Sequence, residues 1–131
     1  MSKEKEKLTV LLATDDEEFE ESLLEILDEN KYAVVVERSY PSAFHYLLNH
    51  EIDLLIFDPT LEELGGLCTL QFIKEIRPKI PIVVITDESS YDAGAAIARI
   101  GAYFRLGKPI DMQIAEEVVK SVARQLDDTP L

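Results

Sequence analysis

Five short apolar runs punctuate the chain, and the stretches between them change to a helical period. Leu8–Ala13 (LTVLLA), Tyr32–Val36 (YAVVV), Ile52–Phe57 (IDLLIF), Ile82–Thr86 (IVVIT) and Ala102–Leu106 (AYFRL) are too short for helices. They are rich in branched and aromatic residues and read as strands. After the first, Phe19, Leu23, Leu24, Ile26 and Leu27 form an apolar stripe over Glu17–Glu29, backed by an acidic outer face. Pro41 suits the first turn of a helix buried through Ala43, Phe44, Leu47 and Leu48. His45 and His50 on this helix read as surface or helix-end residues. Leu67–Arg77 predicts a helix buried through Leu67, Leu70, Ile73 and Ile76, stopped by Pro78 and Pro81. Ser89–Ile100 predicts another, with small residues from Ala93 to Ala96 and Gly101 as its stop. Asp111 is placed to cap a last helix buried through Ala115, Val118, Val119, Val122 and Leu126.

A strand–helix unit repeated five times predicts an α/β fold. The expected form is a doubly wound five-stranded parallel sheet with five helices, flavodoxin-like in its strand order 2-1-3-4-5. Residues 8–126 form the expected domain, after a charged segment over 1–7 and before a tail or linker start over 127–131. A chain of 131 residues buries roughly two thirds of its unfolded surface, enough for a core without staples.

Charge narrows the function. With 26 acidic and 13 basic residues the net charge is −13, which argues against direct nucleic-acid binding by this domain. The single Cys68 can form no internal disulfide, and no Cys or His grouping has zinc-ligand spacing. No apolar run reaches 18 residues and no secretory leader is visible, so no membrane association is expected and a cytoplasmic location is.

Candidate chemistry gathers at the carboxyl ends of the strands, where open parallel sheets bind ligands. The first strand delivers Asp15 and Asp16, the third Asp58, the fourth Thr86 and the fifth Lys108. A bare Asp is costly inside a sheet, so Asp58 is expected just where its strand leaves it. Three carboxylates within a few Å would repel, each pair by about 1 kcal/mol at 4 Å in water and about 4 at an effective dielectric of 20. A hard divalent cation relieves this. One carboxylate can then attack phosphorus to give an acyl phosphate, with Lys108 and the Thr86 hydroxyl holding phosphoryl oxygens.

These residues resemble the receiver domain of bacterial two-component response regulators over about residues 8 to 126. The matching motifs are Asp15-Asp16, Asp58 at the end of LLIFD, Gly66, Thr86 after VVI, and Gly101-Ala102 leading to Lys108-Pro109. The resemblance implies that Asp58 is the phosphoacceptor. It implies Mg²⁺ or Mn²⁺ held by Asp15, Asp16, Asp58 and the Thr60 carbonyl, a switch role for Thr86, and a phosphoryl contact for Lys108. It implies a cis bond between Lys108 and Pro109, which the ordinary frequency of such bonds does not suggest. A sensor histidine kinase or histidine phosphotransfer protein would be the donor. An output protein or a homodimer partner would meet the face of the fourth helix, fifth strand and fifth helix. The protein would not be an enzyme beyond its own phosphorylation and dephosphorylation.

The departures are specific. Arg105 stands where the family usually has Tyr or Phe; Tyr103 is expected on the same strand face, one step away, so that either it substitutes or the switch is altered. Asp87 replaces the usual Ala after the Thr and reads as a helix-start residue. Glu62 replaces a usual Pro, and Pro59 follows Asp58 directly, removing one N–H. Two other readings stand beside the receiver. Arg105 and Asp87 motivate a phosphorylation-independent scaffold. Asp58-Pro59-Thr60 resembles the nucleophile motif of haloacid-dehalogenase-type phosphohydrolases, although the chain has no room for a cap domain. Flavin binding is disfavoured, since Thr14-Asp15-Asp16-Glu17 would repel a phosphate.

Overall fold

The structure, a computed structural model, describes residues 7–58, 66–87, 99 and 101–128. The loop with Pro59, Thr60 and Glu62 and, apart from Arg99, the helix expected over 89–100 lie outside the described residues, as do the side chains of Leu67, Thr86, Asp87 and Lys108. The strands are β1 (Leu8–Ala13), β2 (Tyr32–Glu37), β3 (Leu54–Phe57), β4 (Ile82–Asp87) and β5 (Phe104–Lys108). The described helices are α1 (Glu17–Ile26), α2 (Tyr40–Asn49), α3 (Gly66–Ile76) and α4 (Met112–Asp128). All neighbouring strands are parallel, in the order β2-β1-β3-β4-β5, as expected.

The period of two along each strand divides the core into two layers. Val10, Leu12, Leu54, Ile56, Val83, Ile85 and Leu106 face α1 and α4, which contribute residues such as Phe19, Leu23, Val118 and Val122. Leu11, Ala13, Leu55, Phe57, Ile82 and Val84 face α2 and α3, which contribute Tyr40, Ala43, Leu47, Leu70 and Ile73. The central strands are buried on both sides, so their sequences read as unbroken apolar runs. Each Leu, Ile or Phe side chain removed from water contributes about 1.5–3 kcal/mol.

Several element ends differ from expectation for local reasons. Helix α1 stops three residues short of Glu29, because Leu27 turns to extended backbone while its N–H still bonds the Leu23 carbonyl. Asp28 then makes the turn into β2: its side chain accepts from the Asn30 N–H at 2.8 Å, and its carbonyl accepts from Lys31 and Tyr32. Leu24 and Leu48, expected inside, are 46% and 50% exposed. Each lies one residue past the true buried row, Phe19–Leu23–Leu27 in one case and Tyr40–Ala43–Leu47 in the other. Strand β5 runs two residues later than expected. Gly101 takes a left-handed φ of 88°, the Tyr103 N–H donates to the Ile82 carbonyl at 2.8 Å, and pairing with β4 starts at Phe104. Pro41 lies in the first turn of α2 as expected, behind a Ser39 cap, and the expected cap at Asp111 is found, its carboxylate accepting from Gln113 at 2.9 Å. His45 and His50 are exposed, His50 at the end of α2.

Candidate functional site

The site begins where β1 and β3 run out together. Ala13 and Phe57, the last residues of the two strands, are register partners. The sheet pattern continues one step beyond them: the Asp58 N–H donates to the Ala13 carbonyl at 3.0 Å, and the Thr14 N–H to the Glu37 carbonyl at 3.1 Å. Thr14 and Asp58 are thereby set side by side at the mouth of the sheet. Both are buried, Thr14 at 0% exposure and Asp58 at 1%.

A carboxyl group so enclosed needs hydrogen-bond partners. The Thr14 hydroxyl supplies one, 3.1 Å from Asp58 Oδ2. An ionised carboxylate only accepts, so the hydroxyl donates. The same Thr14 oxygen accepts from the Asp16 backbone N–H at 3.1 Å. Tyr40 holds Asp58 from the α2 side. Its ring stacks on Phe57 with centroids 5.2 Å apart and planes inclined by 12°, and its hydroxyl makes a long 3.4 Å bond to the Asp58 carbonyl. Thr14 and Tyr40 were not among the candidate site residues. The signal for Thr14 was present as a lone hydroxyl between an apolar strand and an acid pair. The role of Tyr40 depends on a contact across 18 residues and leaves no local trace.

The acid pair divides its duties. Asp16 caps α1, its Oδ1 accepting from the Phe19 N–H at 3.1 Å. Glu17, Glu18 and Glu20 follow in the first turn, where the helix dipole favours acid. Asp15 is exposed. The expected crowding of three carboxylates is not found: among the described residues no three of His, Cys, Asp and Glu form a group able to hold a metal. The donor chemistry still suits a hard dication, which needs only one or two protein carboxylates alongside phosphate and water. Asp16 also keeps acceptor capacity, since a carboxylate has about four lone-pair sites and the cap uses one.

The register puts the remaining candidates on the same sheet edge by backbone. Phe57 pairs with Val84, two residues before Thr86, while Thr86 pairs with Gly107 and Asp87 with Lys108. Asp87 is the last residue of β4, where pairing with β5 extends the strand to meet Lys108, and the helix start expected after it lies outside the described residues. Tyr103 also departs from expectation. It precedes β5, packs against the layer facing α4, and shares a 2.7 Å hydrogen bond with Ser121. Arg105 is exposed and pairs with Val84, whose side chain belongs to the opposite layer. The two residues are not on one face.

Comparison with known proteins agrees with this geometry. The family model for the response regulator receiver domain matches residues 10–120. The response regulator protein PilR of Pseudomonas aeruginosa is 32% identical over 114 residues, covering 86% of this chain and 26% of that protein. The transcriptional regulatory protein ZraR of Salmonella typhimurium is 28% identical over 123 residues, covering 94% of this chain and 28% of that protein. The chain thus spans about a quarter of the length of these relatives. Among solved structures, the REC domain of AraT, a response regulator from Geobacillus stearothermophilus, superposes with a TM-score of 0.80 at 28% identity, covering 92% of this chain and 95% of that one.

Proposed function

The chain belongs to the response regulator receiver domain family, and from that premise we propose that it accepts a phosphoryl group on Asp58 from a histidine kinase or histidine phosphotransfer protein. The observation that carries this reading is the burial of Asp58 at the carboxyl edge of the sheet, beside an acid-rich loop and in hydrogen-bond contact with Thr14. A carboxylate sunk to 1% exposure at that edge is a poor surface residue and a well-held nucleophile.

The chain's own groups supply position and charge. Bonds to the Ala13 carbonyl and from Tyr40 fix the Asp58 backbone, and Thr14 holds one carboxylate oxygen. An Asp58 oxygen attacks phosphorus, the phosphorus–donor bond breaks, and the donor leaves with that electron pair. Asp15, Asp16, Asp58 and the Thr60 carbonyl are the groups that would hold Mg²⁺ or Mn²⁺. When bound, that ion neutralises charge on the phosphoryl oxygens. Thr86 and Lys108 arrive by register at the same edge, and we assign them the phosphoryl oxygens of the product. The output passes to the side of β5 and α4, towards a partner protein or a second copy. The site is proposed to work in the cytoplasm, and no described helix is long and apolar enough to cross a membrane.

A second reading, a receiver that acts as a scaffold without phosphorylation, draws on Arg105 and Asp87, which depart from the family's usual residues at their positions. Incubation with acetyl phosphate and Mg²⁺, followed by intact mass, separates the two. The receiver reading expects a gain of one phosphoryl group, abolished by EDTA and by Asp58→Asn. No gain in the wild-type protein, together with no Mg²⁺ binding by calorimetry, establishes the scaffold.

A further inference from the structure

The hydroxyl of Thr14 has a stricter environment than packing requires. The side chain is fully buried, and a valine would fill the same volume. Its oxygen is used twice, accepting from the Asp16 N–H and donating to Asp58 Oδ2, each at 3.1 Å. The first bond restricts how the hydroxyl can rotate, and β-branching stiffens the χ1 torsion that carries it. The hydrogen is thereby directed at one carboxylate oxygen. The terminal torsion of an Asp is otherwise broad and roughly two-fold, so its two oxygens exchange by rotation. Phosphoryl transfer needs one oxygen in line with the breaking bond, and misplacement of about 1 Å can cost on the order of a hundredfold.

We propose that Thr14 is a positioning residue for phosphorylation of Asp58: its hydroxyl holds Oδ2, fixes the plane of the carboxylate, and ties that plane to the backbone of the acid loop. This inference rests on Asp58 being the phosphoacceptor. In the step itself the Asp58 oxygen forms the new bond to phosphorus, the bond from phosphorus to the acetyl oxygen breaks, and acetate leaves with the electron pair. No proton is transferred, so Thr14 acts on geometry alone.

The test compares the wild-type protein with Thr14→Val, Thr14→Ala and Thr14→Ser at saturating Mg²⁺ over a range of acetyl phosphate concentrations. Circular dichroism confirms folding, and calorimetry gives the Mg²⁺ dissociation constant. Thr14→Val is expected to lower the maximal phosphorylation rate at least about tenfold, in keeping with loss of a hydrogen bond to a charged group. The half-saturating donor concentration and Mg²⁺ affinity are expected to stay within about twofold, and Thr14→Ser, which keeps the hydroxyl, to restore most of the rate. If Thr14→Val does not fold, Thr14→Ala carries the same expectation. A wild-type rate in the folded variant lacking the hydroxyl overturns the role of Thr14 and leaves Asp58 as acceptor. Equal loss in Thr14→Ser and Thr14→Val also overturns it, because the hydroxyl would then not be the cause. Absence of labelling in the wild-type protein overturns the phosphoacceptor reading itself.

Discussion

The acceptor edge and the β5 edge are built on different terms. At the ends of β1 and β3, Phe57, Asp58 and Thr14 are enclosed, stacked and hydrogen-bonded across distant parts of the chain. Among the described residues β5 has a neighbour strand on one side only, Phe104 is 41% exposed, and Arg105 is exposed beside it. A shallow groove lined by Tyr103, Phe104, Ile114, Val118 and Ser121 runs along that edge. On the proposed function, the difference separates two tasks. Chemistry on one carboxylate needs atoms held in place, and the cost of ordering them is met by burial. Contact with a changing partner needs accessible surface, and such surface adds little to stability.

The largest effect is expected from Phe57→Ala. Phe57 is fully buried and carries the stacked Tyr40, so its truncation should cost about 3–5 kcal/mol in urea unfolding. Phosphorylation should slow as well, since Phe57 leads directly into Asp58. A loss under about 1 kcal/mol would break the comparison, because the acceptor edge would then not be core.

Much of this was legible in the chain. The five apolar runs gave strands in the expected order, because a strand buried on both faces leaves a continuous apolar signature. Asp58 stood out because a carboxylate directly after such a run has few inexpensive explanations. Pairwise side-chain partners were less visible. Leu24 and Leu48 were misplaced because a helical stripe read from spacing is wider than the row that packs. The capping of α1 by Asp16 was not foreseen beside its expected metal role, because it depends on the backbone angles at the helix start. The face of Tyr103 was misjudged because alternation holds only within a strand, and β5 begins one residue after it.

Smaller effects are expected at the other edge. Tyr103→Phe keeps the ring against the α4 layer and removes the 2.7 Å bond with Ser121, which should cost about 0.5–1.5 kcal/mol in the same unfolding measurement. It should leave the rate of Asp58 phosphorylation unchanged. A matching slowdown would mean that the two edges are already coupled in the unphosphorylated protein. A change in stability of about 1 kcal/mol is expected from Phe104→Ser, because the residue is only part-buried, at 41% exposure. Its effect should be seen by sedimentation as weaker self-association or partner binding after phosphorylation. Unchanged association would place the output surface elsewhere on the domain.

The central claim is that Asp58, among 26 acidic residues, is the one made into an acceptor by its enclosure. Acyl phosphates are reduced by borohydride, which converts the modified aspartate to homoserine and marks its position for peptide mass mapping. After treatment with acetyl phosphate and Mg²⁺, the account expects homoserine at position 58 and nowhere else. Homoserine at 15 or 16 with residue 58 unchanged would contradict it.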